Sequence, residues 1–403
     1  MIKGLRGFAA AALTAGIGVA SPPIAAPGEP PEMGAMKLGY VELADGRRYA
    51  NRGAHSGIVF TDLGRPYQGA RVALEDAQAI GRVIGVEFSM NKATAASDDL
   101  LAQQISDWIT SDGIHFVLTD LPAGDLTDLA RRLANRPIIL FNISAPDDSL
   151  RGADCANIVV HTYPSEAMLS DALMQYLVAK GWLQILVLQG PAAEDAAMVA
   201  ALRRSAKKFY AKIVEIRPFL LTNDPRNREQ TNVTLMTGGV RYDVVYVADS
   251  SGEFGRYVLY ETSLPRPVVG TAGLAPTAWS WSWDRDAAVQ LQHRYEKVSP
   301  PRRMNGADWA AWEAVKAVAQ AVMRTRSTDF DAVKAFLLSD KLTLDTVKGN
   351  PGSFRAWDHQ LRAPVLLSTP DAVIERAPLP QYLHQTNVLD TLGIDRPETT
   401  CRF

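Results

Sequence analysis

The sequence is poor in the residues that chemistry most often uses. Its 403 residues include two cysteines and six histidines. The histidines (His55, His115, His161, His293, His359 and His384) are scattered, and no pair has the spacing of metal ligands. No G-x-S-x-G elbow, H-E-x-x-H pair, P-loop or C-x-x-C-H motif occurs. These absences remove the motif-marked hydrolases, zinc peptidases, nucleotide triphosphatases and c-type haem proteins. The formal net charge is -2, so nothing favours a nucleic-acid partner. Beyond Ala20 no apolar run is long enough to span a membrane.

What is present begins with "MIKGLRGFAAAALTAGIGVA". Lys3 and Arg6 precede an uncharged run from Phe8 to Ala20, with small residues at Gly18 and Ala20. This is the pattern of a secretory signal over 1–20, cleaved after Ala20 or, alternatively, after Ala25 or Ala26, and the run is shorter than a membrane anchor needs. Residues 21–35, rich in Pro, Gly and Ala, read as a disordered leader. The mature chain is therefore expected outside the cytoplasm, where Cys155 and Cys401 can pair and tie the C-terminal tail to the middle of the chain. The alternative is two independent buried thiols.

Strand-like and helix-like segments then alternate. "YQGARVALEDAQAIGRVIGVEF" places Ala70, Ala73, Leu74 and Ala77 on one helical face, predicts a helix that stops at Gly81, and starts a strand at Val83. A helix over 97–111 is expected with Ser97 as N-cap and Leu100, Ile105, Trp108 and Ile109 inward. Unbroken apolar runs such as "PIILF" suit strands buried on both faces of a parallel sheet. The alternation runs through strands near 36–43, 83–90, 115–120, 137–144 and 157–164. It restarts with a Ser-capped helix from 165 and strands near 185–190, 211–221, 242–249 and 266–272. Two such series predict an α/β protein of two doubly wound, Rossmann-like lobes. "NGADWAAWEAVKAVAQAVMR" is the strongest later helix, "GSFRAWDHQLRAPVLLST" reads as two strands, and the tail from 378 shows no period.

Open α/β sheets bind ligands at the carboxyl ends of their strands. Those ends carry Asp120 and Leu121, Asn142 and Ser144, Gln189, and the run Asp249–Ser251 with Glu253; Asp62 and Tyr67 lie in the loop after strand 1. These residues, with Tyr163 in the turn "HTYPS", are the candidate ligand set. For Asp120 and Asp249, helix capping is the competing role. "WSWSW", Trp279–Trp283, would put three indoles on one face if extended, as an aromatic wall or as packing around a crossover.

The order of these motifs resembles a known family. "YQGARVALEDAQAIG", "HTYPSEAMLSDALMQYL", "NGADWAAWEAVKAVAQAV" and "FRAWDHQLRAPVLL" are similar to passages of type I periplasmic binding proteins of branched-chain amino acid ABC transporters. "YDVVYVADSSGEFGRYV", "PRPVVGTAGLAPTAW" and the ending "DTLGIDRPETTC" resemble the subfamily associated with PQQ-dependent alcohol catabolism. The resemblance implies a Venus-flytrap fold with a three-strand hinge, crossed near 161–165, 275–282 and 362–366. Residues 36–161 with 283–362 would form the N-lobe, 162–282 with 363–390 the C-lobe and hinge, and 391–403 a tail. It implies a periplasmic, non-enzymatic protein with no cofactor, a small-molecule ligand and an ABC permease as partner. A quinoprotein dehydrogenase or cytochrome is a further partner, and a sensor or accessory role for such a system the second reading. One departure stands out: "TDLPAGD" puts Asp120 where that family has a hydroxyl or glycine for the ligand carboxylate. An aspartate there would repel a carboxylate unless protonated or bridged.

Overall fold

The computed structural model describes residues 34–46, 49 and 64–403. The signal segment 1–20, the leader as far as residue 33, and Asp62 lie outside the described residues. The first lobe is a parallel sheet of order β2-β1-β3-β4-β5. It is built from β1 (Gly34–Leu43), α1 (Tyr67–Ile84), β2 (Val86–Ala95), α2 (Asp98–Asp107), β3 (Phe116–Asp120), α3 (Ala123–Leu133), β4 (Ile139–Asn142) and β5 (Val159–His161). In β4, Ile139 and Phe141 join the core on one face and Leu140 the core on the other. That is why the run is apolar throughout. Gly34 and Ala35, expected in the leader, already pair with Val86 and Glu87 in the sheet.

The second lobe comprises α4 (Glu166–Ala179), β6 (Gln184–Gln189), α5 (Ala193–Lys208), β7 (Lys212–Pro218), α6 (Arg228–Thr231), α7 (Val233–Met236), β8 (Val244–Ala248), α8 (Gly255–Glu261) and β9 (Val268–Gly270). Its sheet is parallel, of order β7-β6-β8-β9. The remainder is β10 (Ala275–Thr277), α9 (Ala288–Val298), α10 (Gly306–Thr325), α11 (Phe330–Leu337), β11 (Leu344–Asp345), β12 (Pro351–Phe354), β13 (Leu361–Arg362), β14 (Val365–Ser368) and β15 (Val373–Ala377). The β10-β14-β15 sheet packs on α4, while α10 packs along α1.

Two local expectations are corrected. α1 does not stop at Gly81; it runs on to Ile84 and ends on the left-handed Gly85, φ 75°. Gly81 is buried inside the helix, where a Cβ would lie 2.1 Å from the Val86 carbonyl oxygen. Its missing side chain is what lets helix and strand touch, so β2 starts at Val86 and Val83 stays exposed. In α2, Ser97 does cap the Leu100 amide, but Leu100 is exposed and Leu101 takes the inward place with Ile105 and Trp108. β15, just before the tail, pairs antiparallel with β14 and makes the small sheet three-stranded, and the tail from 378 holds no strand and only the short 3-10 turn Val388–Thr391.

"WSWSW" is a turn rather than an extended strip. Trp279 and Trp283 enter the first-lobe core, and Trp283 Nε1 donates to the Val347 carbonyl at 3.0 Å. Trp281 points away under the Arg303 guanidinium, 3.4 Å from its ring centroid. The indoles therefore share no face and pack around a crossover.

Core membership shows where the chain passes between lobes. Val160 is in the first core and Met168 in the second; β10 is followed by Ala278 and Trp279 in the first; Leu361 is in the first and Val365 in the second. Two buried cations fasten these passages. Arg151 donates to the Ala145, Asp147 and Tyr163 carbonyls at 2.9, 3.0 and 2.7 Å and to Gln360 Oε1 at 2.9 Å. Gln360 Nε2 donates to the His161 and Tyr163 carbonyls. Lys348 Nζ donates to Ala278 O at 2.9 Å and Pro364 O at 2.6 Å, and lies 3.5 Å from the Trp309 ring centroid. Burial pulls the Lys348 pKa well below the usual lysine range, against the pull of Glu313.

Gly81→Ala should cost ~1–3 kcal/mol in urea unfolding, because its new methyl meets backbone rather than a movable side chain; a change within ~0.5 kcal/mol would refute the close contact. Glu313 carries a second test. It is fully buried with neither carboxylate oxygen hydrogen-bonded among the described residues, and burial pushes its pKa up to about 7, against the attraction of Lys316 and Lys348. Its folded pKa lies above the unfolded value, so its contribution is full below about pH 4.5 and is lost as pH rises through about 7. Between those limits the wild type should lose roughly 3 kcal/mol relative to Glu313→Gln. Parallel stability–pH curves for the two proteins would contradict this.

Candidate functional site

The first-lobe sheet changes direction between β1 and β3, the usual place for a ligand crevice in an open α/β sheet. Alternation along β1 sends Tyr40 and Glu42 to one side and Val41 to the other core. Glu42 pairs with Lys92 of β2 at 2.9 Å, accepts from Thr94 Oγ1 at 2.9 Å, and lies 3.6 Å from Arg65. Asp120, at the end of β3, accepts from Tyr49 O–H at 2.8 Å and lies 3.5 Å from Arg65. Tyr67, the first residue of α1, sets its ring edge-on to Tyr40 at 4.9 Å, with Lys92 Nζ 4.7 Å from its own centroid. Two carboxylates, two cations and three tyrosines thus share one strand tip.

Tyr40 is the exception within that cluster. It is fully buried and, among the described residues, its hydroxyl has no hydrogen-bond partner. Burial, and then the Asp120 and Glu42 carboxylates, push its pKa well above the usual tyrosine value. It therefore stays protonated, a donor with nothing to donate to.

The other predicted residues divide. Leu121 is fully buried in the first-lobe core, so its side chain is not at the site. Asn142 is spent locally: Oδ1 accepts the Ser144 and Ala145 amides, and Nδ2 donates to Ala145 O at 2.8 Å and lies 3.0 Å from His161 Nδ1. It shapes the loop after β4 and places Ser144 beside it. Tyr163 lends its carbonyl to Arg151 and Gln360, and its ring packs near Gly306.

In the second lobe the switch lies between β6 and β8, at Gln189 and Asp249. Gln189 is partly buried. Asp249 braces the turn that leads into α8, whose N-cap position is Phe254: Oδ1 accepts the Ser251 and Gly252 amides at 3.1 Å, and Oδ2 the Gly255 amide at 2.8 Å. Asp195, at the start of α5, accepts the Ser250 and Ala192 amides and braces the same loops. Glu253 lines a cavity of about 230 Å³ with Leu220, Leu221, Asn223, Phe254 and Tyr257.

Sequence reasoning missed Tyr40, Glu42, Arg65 and Lys92. The signal was available for Tyr40 and Glu42, polar positions with period two in an otherwise apolar strand. It also missed Glu166, which opens α4 beside the loop after β4. Burial, then Asp148 and Asp147, push Glu166 up to about 8. Among the described residues no group of three or more His, Cys, Asp or Glu is placed to hold a metal ion.

Solved structures share this fold. One from R. palustris, a solute-binding protein of an ABC transporter in complex with benzoate, is 14% identical, covers 92% of this chain and 100% of its own, and has a TM-score of 0.62. The fold is that of the type I periplasmic binding proteins. A branched-chain amino acid ABC transporter binding protein from Burkholderia xenovorans is 15% identical over 85% of this chain and 95% of its own, TM-score 0.64. The branched-chain amino acid binding protein of Streptococcus pneumoniae, solved with isoleucine, is 15% identical over 85% and 98%, TM-score 0.62. Residues 56–227 match the family model described as periplasmic binding protein. No curated protein gives a significant match. The matched family and these structures are binding proteins, not enzymes.

With the Asp249 carboxylate removed, the Ser251 and Gly255 amides of the turn into α8 lose their acceptor. Asp249→Ala should lower stability by ~1–3 kcal/mol in urea unfolding. A loss under ~0.5 kcal/mol would return Asp249 to the ligand set.

Proposed function

We propose that this chain is the periplasmic solute-binding component of an ABC importer. It closes on a small molecule between a lobe of residues 36–161 with 283–362 and one of 162–282 with 363–390, and presents it to a membrane permease. The observation that carries this reading is the pair of separate parallel sheets, joined by cation-fastened crossings, with polar side chains gathered at the switch point of the first. A ligand bound more tightly by the closed state would shift the lobes by its differential affinity. The resemblance of the passages at 242–258, 265–279 and 390–401 to proteins of PQQ-dependent alcohol catabolism supports a place beside such a system. A sensor or accessory role there is the second reading.

The charge balance bears on the ligand. At the first-lobe tip Arg65 and Lys92 are already paired with Glu42 and Asp120. A ligand carboxylate would have to displace one of these carboxylates, whereas Tyr40 offers a hydroxyl that a neutral oxygen-bearing ligand can use. The test is a thermal-shift screen of the mature chain against alcohols, carboxylic acids, amino acids, PQQ and metal ions. A true ligand at a hundredfold its Kd adds about 2.7 kcal/mol of stability. Tyr40→Phe should stabilise the free protein slightly, by removing a buried unpaired hydroxyl, and weaken a neutral ligand by ~1 kcal/mol. A screen without a hit, together with co-purification of a dehydrogenase or cytochrome, would replace transport with the accessory role.

A further inference from the structure

The chain passes between the lobes once more, at its end. Leu379 and Leu392 lie in the second-lobe core. Cys401 is disulfide-bonded to Cys155, whose neighbours Ala156, Ile158 and Val159 pack in the first-lobe core. Each end of the segment between is firmly held. On the second lobe, the fully buried Asp171 of α4 accepts the Gly393 amide at 2.8 Å, and Lys208 bridges Asp171 to the Thr391 and Gly393 carbonyls. At the third crossing, Asp390 accepts from Arg355 Nε at 2.8 Å and Arg362 Nε at 2.9 Å. Trp357 Nε1 donates to Ile394 O. On the first-lobe side the disulfide is joined by Phe403, whose ring stacks on His359 at 4.3 Å.

A tether fixed at both ends limits how far those ends can part. From Gly393 to Cys401 a fully extended chain reaches at most roughly 28 Å. The internal crossings are pinned to one another through Arg151, Gln360 and Lys348, so they act as pivots. The terminal segment adds a covalent link between α4 and the β4–β5 connection, which already meet through the Glu166 amide on the Pro146 carbonyl at 2.8 Å and the Ala167 amide on Asp148 Oδ1 at 2.9 Å. We propose that residues 393–401 are a covalent strap that sets the outer limit of lobe separation, so that the cleft works over a narrower range than the crossings alone would allow. This rests on the hinged reading above but on no particular ligand.

The experiment needs none either. Val83 and Tyr210, 75% and 91% exposed at the carboxyl ends of α1 and α5 in opposite lobes, can carry nitroxides through an azide-bearing amino acid, which leaves both cysteines alone. Pulsed dipolar spectroscopy then reads the interlobe distance in the full mature chain. Two changes are compared with the parent: Cys401→Ser, and a short Gly/Ser insertion between Pro397 and Glu398 that keeps the disulfide and lengthens the strap. Both should broaden the distribution and move it to longer distance. If the insertion variant, with its disulfide confirmed by thiol titration, coincides with the parent, the strap does not limit opening. This holds whatever Cys401→Ser does and whatever either variant does to the melting temperature. Loss of every ligand response with the distance shifts intact would instead count against the solute-binding reading alone.

Discussion

The buried Arg151 guanidinium is the interaction on which the rest of the molecule depends. Taking a cation out of water costs several kcal/mol, recovered only when its donors meet oxygens in good geometry. Here the oxygens belong to segments far apart in sequence: Ala145 and Asp147 after β4, Tyr163 in the first crossing, Gln360 in the third. The guanidinium cannot be satisfied unless all of them are in place. Burial draws its pKa down to about 10, still well above neutrality, so the charge persists and the demand with it. Lys348 makes the same demand of Ala278 and Pro364 and so ties in the second crossing. The two lobes are thereby assembled around fixed points, which is the geometry a hinge requires.

Much of this fold was legible in the sequence. Ser97 and Ser165 were readable as caps because a cap is a local arrangement, and both accept the amides they should. The unbroken apolar strands announced two parallel sheets for the same reason: burial on both faces leaves no polar position. Gly81 misled because a glycine near a helix end has two uses. It can adopt a left-handed cap or allow close approach of another backbone, and only the position of Val86 distinguishes them. Leu100 and Leu101 are likewise adjacent apolar residues whose inward member is decided by the sheet beneath them.

The site was less legible, and the reason is physical. A polar residue at a strand tip can be consumed by its own loop, by other lobe residues, or by a ligand, and sequence shows only that it is polar. Asn142 and Asp249 belong to the first kind, with acceptors filled by amides a few residues away. Asp120 and Glu42 belong to the second, neutralised by Arg65 and Lys92 from other parts of the chain. Leu121 was named only for its neighbour and packs inward, as alternation along the strand demands.

Hydrogen-bonding capacity left over after these claims are met is the better guide to recognition. A buried polar group without a partner costs free energy in the free protein. It persists where some other state supplies the partner. Tyr40 meets that description: no exposure, no hydrogen-bond partner among the described residues, and a ring packed edge-on against Tyr67. Neighbouring carboxylates make ionisation harder still, so the group can contribute only as a neutral hydroxyl. On the proposed solute-binding reading, with the surrounding charges already paired, this tip would discriminate by hydrogen bonding and shape, and a ligand bringing its own charge would first have to break an ion pair.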